Sequence, residues 1–138
     1  MFRMHRSDKF LTWSLECAVI NTFLMDAIDS PLVKPAQASL FHLTKEQCQR
    51  LKDLSDVLET IIGDKDYLTT NSDLLTYDTL VAVKERFKLL ELRQAIVLLK
   101  ELSSNTWDKD KAEELLNFIG EIQTWAIGRH SMEYRGCF

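Results

Sequence analysis

The stretch "RHSMEYRGCF" (Arg129 to Phe138) sets a His, a Cys, a Tyr and two Arg close together. Those side chains could serve nucleophilic catalysis, metal ligation or phosphate binding, and each chemistry makes demands on spacing. A cysteine nucleophile needs a base, a group to orient that base, and donors for an oxyanion. Cys137 is penultimate and follows Gly136, a poor place from which to hold such a geometry. A prenylated cysteine stands fourth from the end, which Cys137 does not. Di-iron bundles use Glu-x-x-His on paired helices, but the residue three before His130 is Ile127. There is no CxxC or HExxH, and His42 and Cys48 have no standard metal spacing. Asp64, Asp66, Asn71 and Asp73 suggest a calcium loop, yet its fifth, sixth and twelfth positions are Leu68, Thr69 and Leu75. The sequence therefore points to no catalytic residue, no metal and no cofactor, and the chain reads as a non-enzyme.

Glu16 is the carboxylate set deepest in apolar sequence. It is expected at the edge of the fold, solvated on the Lys9/Thr12 side. Cys17, Cys48 and Cys137 are odd in number and far apart, so no complete disulfide framework can form. Cys17 and Cys48 fall on apolar helix faces and read as core thiols.

These residues have to be positioned by helices. A chain of 138 residues with four Gly and two Pro has few turn signals, and 46% hydrophobic content is enough for one buried core. The expected fold is all-α, a single domain over 1–138. Its expected form is an antiparallel four-helix bundle in up-down-up-down order, with a long irregular connection over 30–43 between helices 1 and 2. The first helix is expected from Ser7 or Asp8 to Ile28. The second starts at a capping box, Thr44 with Gln47, and closes at Gly63. Its outer face offers Glu46/Arg50 and Lys52/Asp56 as i,i+4 pairs. The third is expected from Asp78 to Leu102 and the fourth from Asp108 to His130, with Ala112, Leu115, Ile119, Ile122 and Ala126 as its apolar stripe. The run Cys17–Met25 is bracketed by Glu16 and Asp26, is followed by no small-x-small cleavage site, and is shorter than a bilayer requires. The reading is a cytoplasmic protein without a membrane association.

Three features point to binding. Gly120, Thr124 and Gly128 recur every four residues in the last helix, and each mid-helix Gly costs about 1 kcal/mol relative to Ala. Such a strip admits another backbone, first of all one within the same chain. Next, "CAVINTFLM" and "LLELRQAIVLL" lack a wide polar face, and the second suggests a helix buried nearly all round. Four helices cannot cover both from water, so either the 30–43 segment or another chain must, and the reading leans to a partner protein, first a second copy. Finally, an up-down-up-down order brings the two chain ends together. Arg3, Arg6, Lys9, Arg129 and Arg135, against Asp8 and Glu133, would make a basic pole of +3 beside His130 in a chain of net charge −4. That pole supports a second reading, an accessory protein that binds nucleic acid or phosphate, although the overall acidity argues against a general nucleic-acid binder. The first reading is a self-associating protein–protein interaction module.

Overall fold

The computed structural model describes residues 4–29, 43–104 and 106–135, without the side chains of 4–8 and 133–135. The connection expected over 30–43 lies outside the described residues except for Leu43, which packs against the core. Among the described residues the structure is all-helical, as composition implied, but five helices form where four were expected. They are α1 (Met4–Ile28), α2 (Lys45–Ile61), α3 (Tyr77–Arg86), α4 (Leu89–Ser103) and α5 (Lys109–Arg135), with a 3₁₀ turn at Tyr67–Thr69.

The extra helix arises because the expected third helix breaks in two. Phe87 (φ −113°, ψ 141°) and Lys88 (φ −74°, ψ 150°) are both extended. Phe87 leaves the helical path to enter the core, where its ring lies 5.6 Å from Phe118 and 5.9 Å from Trp125. Its backbone N–H still closes α3 on the Val83 carbonyl at 2.9 Å. Lys88 then starts α4, and Glu91 Oε1 accepts the Lys88 N–H at 3.0 Å. Burial of a large aromatic ring, worth about 2–3 kcal/mol, supplies the driving force that a Gly or Pro would otherwise have signalled.

Local signals set the other boundaries. Thr44 Oγ1 accepts the Gln47 N–H at 3.1 Å while Gln47 Oε1 accepts the Thr44 N–H at 3.0 Å, so the expected capping box forms. Gly63 has φ +89°, the left-handed conformation that ends α2 at low steric cost. Thr76 and Thr79 make a second capping box at the start of α3. Asp108 Oδ1 accepts the N–H groups of Asp110 and Lys111 at the start of α5.

The helices pack as two antiparallel pairs. Phe10 near the start of α1 meets Trp125 near the end of α5, with ring centroids 5.5 Å apart. Ion pairs Glu59–Lys100 (3.0 Å) and Asp64–Arg93 (3.2 Å) run in opposite order along α2 and α4. Between the pairs lie Trp13, Ile20, Leu24, Leu51, Leu58, Leu99, Leu115 and Ile122, all buried. The stripe expected on the last helix is fully buried, from Ala112 to Ala126. The segment between α2 and α3 is tied down by the Leu74 carbonyl, which accepts from Trp13 Nε1–H at 2.7 Å and Thr79 Oγ1–H at 2.9 Å.

Phe87→Ala removes the ring that turns the chain at the α3/α4 break. It is expected to cost about 3–5 kcal/mol, the range for truncating a buried aromatic, as read from urea denaturation followed by far-UV circular dichroism.

Candidate functional site

The basic pole is assembled in part. The start of α1 and the end of α5 do meet, because the Arg129 guanidinium lies over the Phe10 ring, 5.1 Å from its centroid. Lys9 is ion-paired with Asp78 at the start of α3 and also approaches the Phe10 ring. His130 is half-buried beside them in sequence. Arg6 and Arg135 lie on described backbone, but their side chains are outside the described residues, as are Arg3 and Cys137. Two of the expected cations are thus held within the chain, where a partly desolvated cation over an aromatic face gains about 0.5–2 kcal/mol.

Tertiary ion pairs displace the local ones that spacing suggested. Arg50 does not serve Glu46 but reaches Glu16 on α1 at 2.7 Å. Asp56 does not serve Lys52 but accepts from Lys65 at 2.7 Å. Glu16 therefore lies on the α2 side rather than free in solvent as expected, and its partner comes from 34 positions along the chain. Cys17 and Cys48 are buried thiols. Burial, reinforced by the nearby Glu16 carboxylate, pushes the Cys17 pKa up to about 12. Burial raises that of Cys48 as well, against the opposing charge of Lys52. Neither thiol is poised as a nucleophile at neutral pH.

The glycine strip differs from its expected use. A Cβ built on Gly120 or Gly128 would meet nothing within 4 Å among the described residues, so none of the described helices packs closely there. Thr124 between them is exposed. The strip borders the outer face of α1 along one seam, where Asn21 Nδ2 approaches Gln123 Oε1 at 3.5 Å. Residues three before and four after each of these lie on the same helix side. They are Ala18 and Met25 on α1, and Gly120 and Ile127 on α5. Around this seam Leu11, Leu15 (58% exposed), Val19 and Met25 stand in solvent on α1, as does Ile127 on α5. Between Phe10 and Met25 the only charged residue is Glu16, and it faces Arg50. Toward α2 the same face opens into a groove of about 720 Å³ lined by Leu15, Val19 and Phe23.

The apolar third segment is also less buried than its composition suggested. α4 buries Leu92, Ala95, Ile96, Leu99 and Leu102, but Leu89, Leu90 (66% exposed) and Val97 (54% exposed) are in water. By length and composition Lys9–Ile28 is long and apolar enough to cross a membrane, a longer apolar stretch than Cys17–Met25 alone. Its inner face, from Phe10 to Leu24, nevertheless belongs to the core of the fold. No group of three or more metal-ligating side chains converges among the described residues. Comparison with known protein families, curated proteins and solved structures finds no match to this chain.

The raised Cys17 pKa has a pH consequence. Between 9.0, the ordinary thiol value, and about 12, the unfolded chain loses this proton while the folded chain keeps it. The contribution to stability is present below the unfolded pKa and is lost as pH rises through that window, by about 1.4 kcal/mol per pH unit. Denaturation of the wild type and of Cys17→Ala across this range should show the steeper fall in the wild type. Thiol labelling of Cys17 at pH 8 should proceed only as fast as unfolding.

Proposed function

We propose that the chain is a non-enzymatic helical interaction module that self-associates through the outer faces of α1 and α5. The observation that carries this reading is the exposed apolar stripe of Leu11, Leu15, Val19 and Met25, bordered by Asp26 and joined at the Asn21–Gln123 seam to Gly120, Thr124 and Ile127. A contiguous apolar patch of this kind marks an interaction surface. A second copy is the occupant favoured by its chemistry. In a two-fold contact the same patch faces itself, so a charged patch would oppose like charges, whereas an apolar one does not. The open space beside Gly120 and Gly128 supports close approach of a neighbouring helix from outside the chain. Two mid-helix glycines with no close packing among the described residues otherwise forgo about 1 kcal/mol each relative to Ala. The phosphate-binding reading is weaker, since Lys9 is already ion-paired with Asp78 at the pole.

Sedimentation velocity is expected to show a dimer for the wild type. Leu15→Glu and Val19→Glu place a carboxylate in the contact, and an unpaired buried charge costs about 3–5 kcal/mol, so both should sediment as monomers with unchanged circular dichroism. Gly120→Ala should stabilise the isolated chain by about 1 kcal/mol in urea, whereas Gly120→Leu should leave the fold intact and weaken the dimer. A wild type that stays monomeric at high concentration would overturn the proposal.

A further inference from the structure

The end of α4 and the start of α5, tied by the Lys111–Glu101 pair, close one end of a groove of about 560 Å³ lined by both helices. Its walls follow one pattern twice. Glu91, Gln94, Leu98 and Glu101 on α4, and Lys111, Glu114, Phe118 and Glu121 on α5, each recur at i, i+3, i+7 and i+10. That is the spacing of one continuous helix face, and both faces line the groove. Leu98 and Phe118 supply apolar floor with Ala95, and Val97 stands exposed at the rim.

The rim is acidic, and its cations are already engaged. Lys111 is paired with Glu101 near the closed end of the groove. Arg93 is paired with Asp64 on the α2 side. Antiparallel order puts Glu91 and Glu121 toward the open end, and among the described residues neither has a cationic partner. Two carboxylates flanking an apolar trough repel anionic lipid headgroups and nucleic acid, and attract a cation carried on an apolar surface.

We infer that the α4/α5 groove is a docking site for a basic amphipathic helix of a partner protein. The helix lies along the trough, its apolar residues at i, i+3/i+4 and i+7 against Leu98, Phe118 and Val97, and its Lys or Arg side chains toward Glu114, Glu121 and Glu91. This is helix-in-groove recognition, in which apolar anchors give affinity and flanking charges give register. The surface is separate from the self-association face, because Phe118 and Gly120 lie on opposite flanks of α5 at two positions' separation.

The probe is a fluorescein-labelled synthetic peptide of Leu and Lys in amphipathic helical order, about 18 residues long so that it can form a helix on binding. Anisotropy titration of the full chain should show saturable binding that weakens with salt. Glu121→Lys and Val97→Asp should each weaken it about tenfold or more, near 1.4 kcal/mol, with unchanged circular dichroism. Leu15→Glu, which tests the self-association face, should leave peptide affinity unchanged, so the two surfaces fail or succeed separately. Backbone amide shifts on titration should map to α4 and α5. A scrambled peptide of the same composition binding equally well, unchanged affinity in Glu121→Lys, or shifts confined to α1 would each overturn the inference. So would tight binding of anionic phospholipid vesicles that Val97→Asp abolishes.

Discussion

Trp125 is the contact on which the arrangement of helices depends. Its ring takes edge contacts from Phe10 and Trp13 on α1 and from Phe87 at the α3/α4 break, with centroids 5.5 to 6.2 Å away. Edge-to-face aromatic pairs add about 0.5–1.5 kcal/mol each beyond the area they bury. One side chain on α5 thus holds the first half of α1 and the mid-chain turn. Trp13 extends the same cluster outward through its indole N–H to the Leu74 carbonyl, which fixes the segment before α3. Were the cluster loosened, α1 would lose its register on α5 and the Phe87 break would lose its anchor.

That arrangement decides which surfaces are left over. α1 spends Phe10, Trp13, Cys17, Ile20 and Leu24 on the core and keeps Leu11, Leu15, Val19 and Met25 outside. Breaking the third apolar segment at Phe87 lets α4 lie against α2, and the same turn leaves Leu89, Leu90 and Val97 in water. The surplus apolar surface is therefore a product of the packing, and it falls into two patches of different character. One is apolar and suits a copy of itself. The other has acidic walls and suits a basic helix.

Electrostatics plays a positioning role here more than a stabilising one. The exposed pairs Lys65–Asp56 and Arg93–Asp64 are each worth about 1 kcal/mol or less. Pairing of Arg93 with Asp64 and of Lys111 with Glu101 engages the cations of the α4/α5 groove, and its acidic character follows from that. The same logic applies to Glu16, whose engagement by Arg50 leaves Asp26 as the charge on the outer face of α1 beside Leu15 and Val19.

The sequence by itself determined that the chain is helical, where α2 begins and ends, and which stripe of α5 is buried. Those features rest on spacing within a few residues, as with Thr44/Gln47, Gly63, and Ala112 to Ala126. It also marked Gly120, Thr124 and Gly128 as unusual, and the apolar excess of the first and third segments as needing cover. Only the tertiary structure decided that the third segment breaks at Phe87, because no Gly or Pro announces the turn and the force is burial against Phe118 and Trp125, far along the chain. The same holds for the partners of Glu16 and Asp56, which local spacing assigned to neighbours on one helix. It holds too for the glycine strip, whose surroundings among the described residues are open. Short-range patterns are set by backbone geometry and can be read in order. Which apolar face meets which is settled by competition among all of them at once.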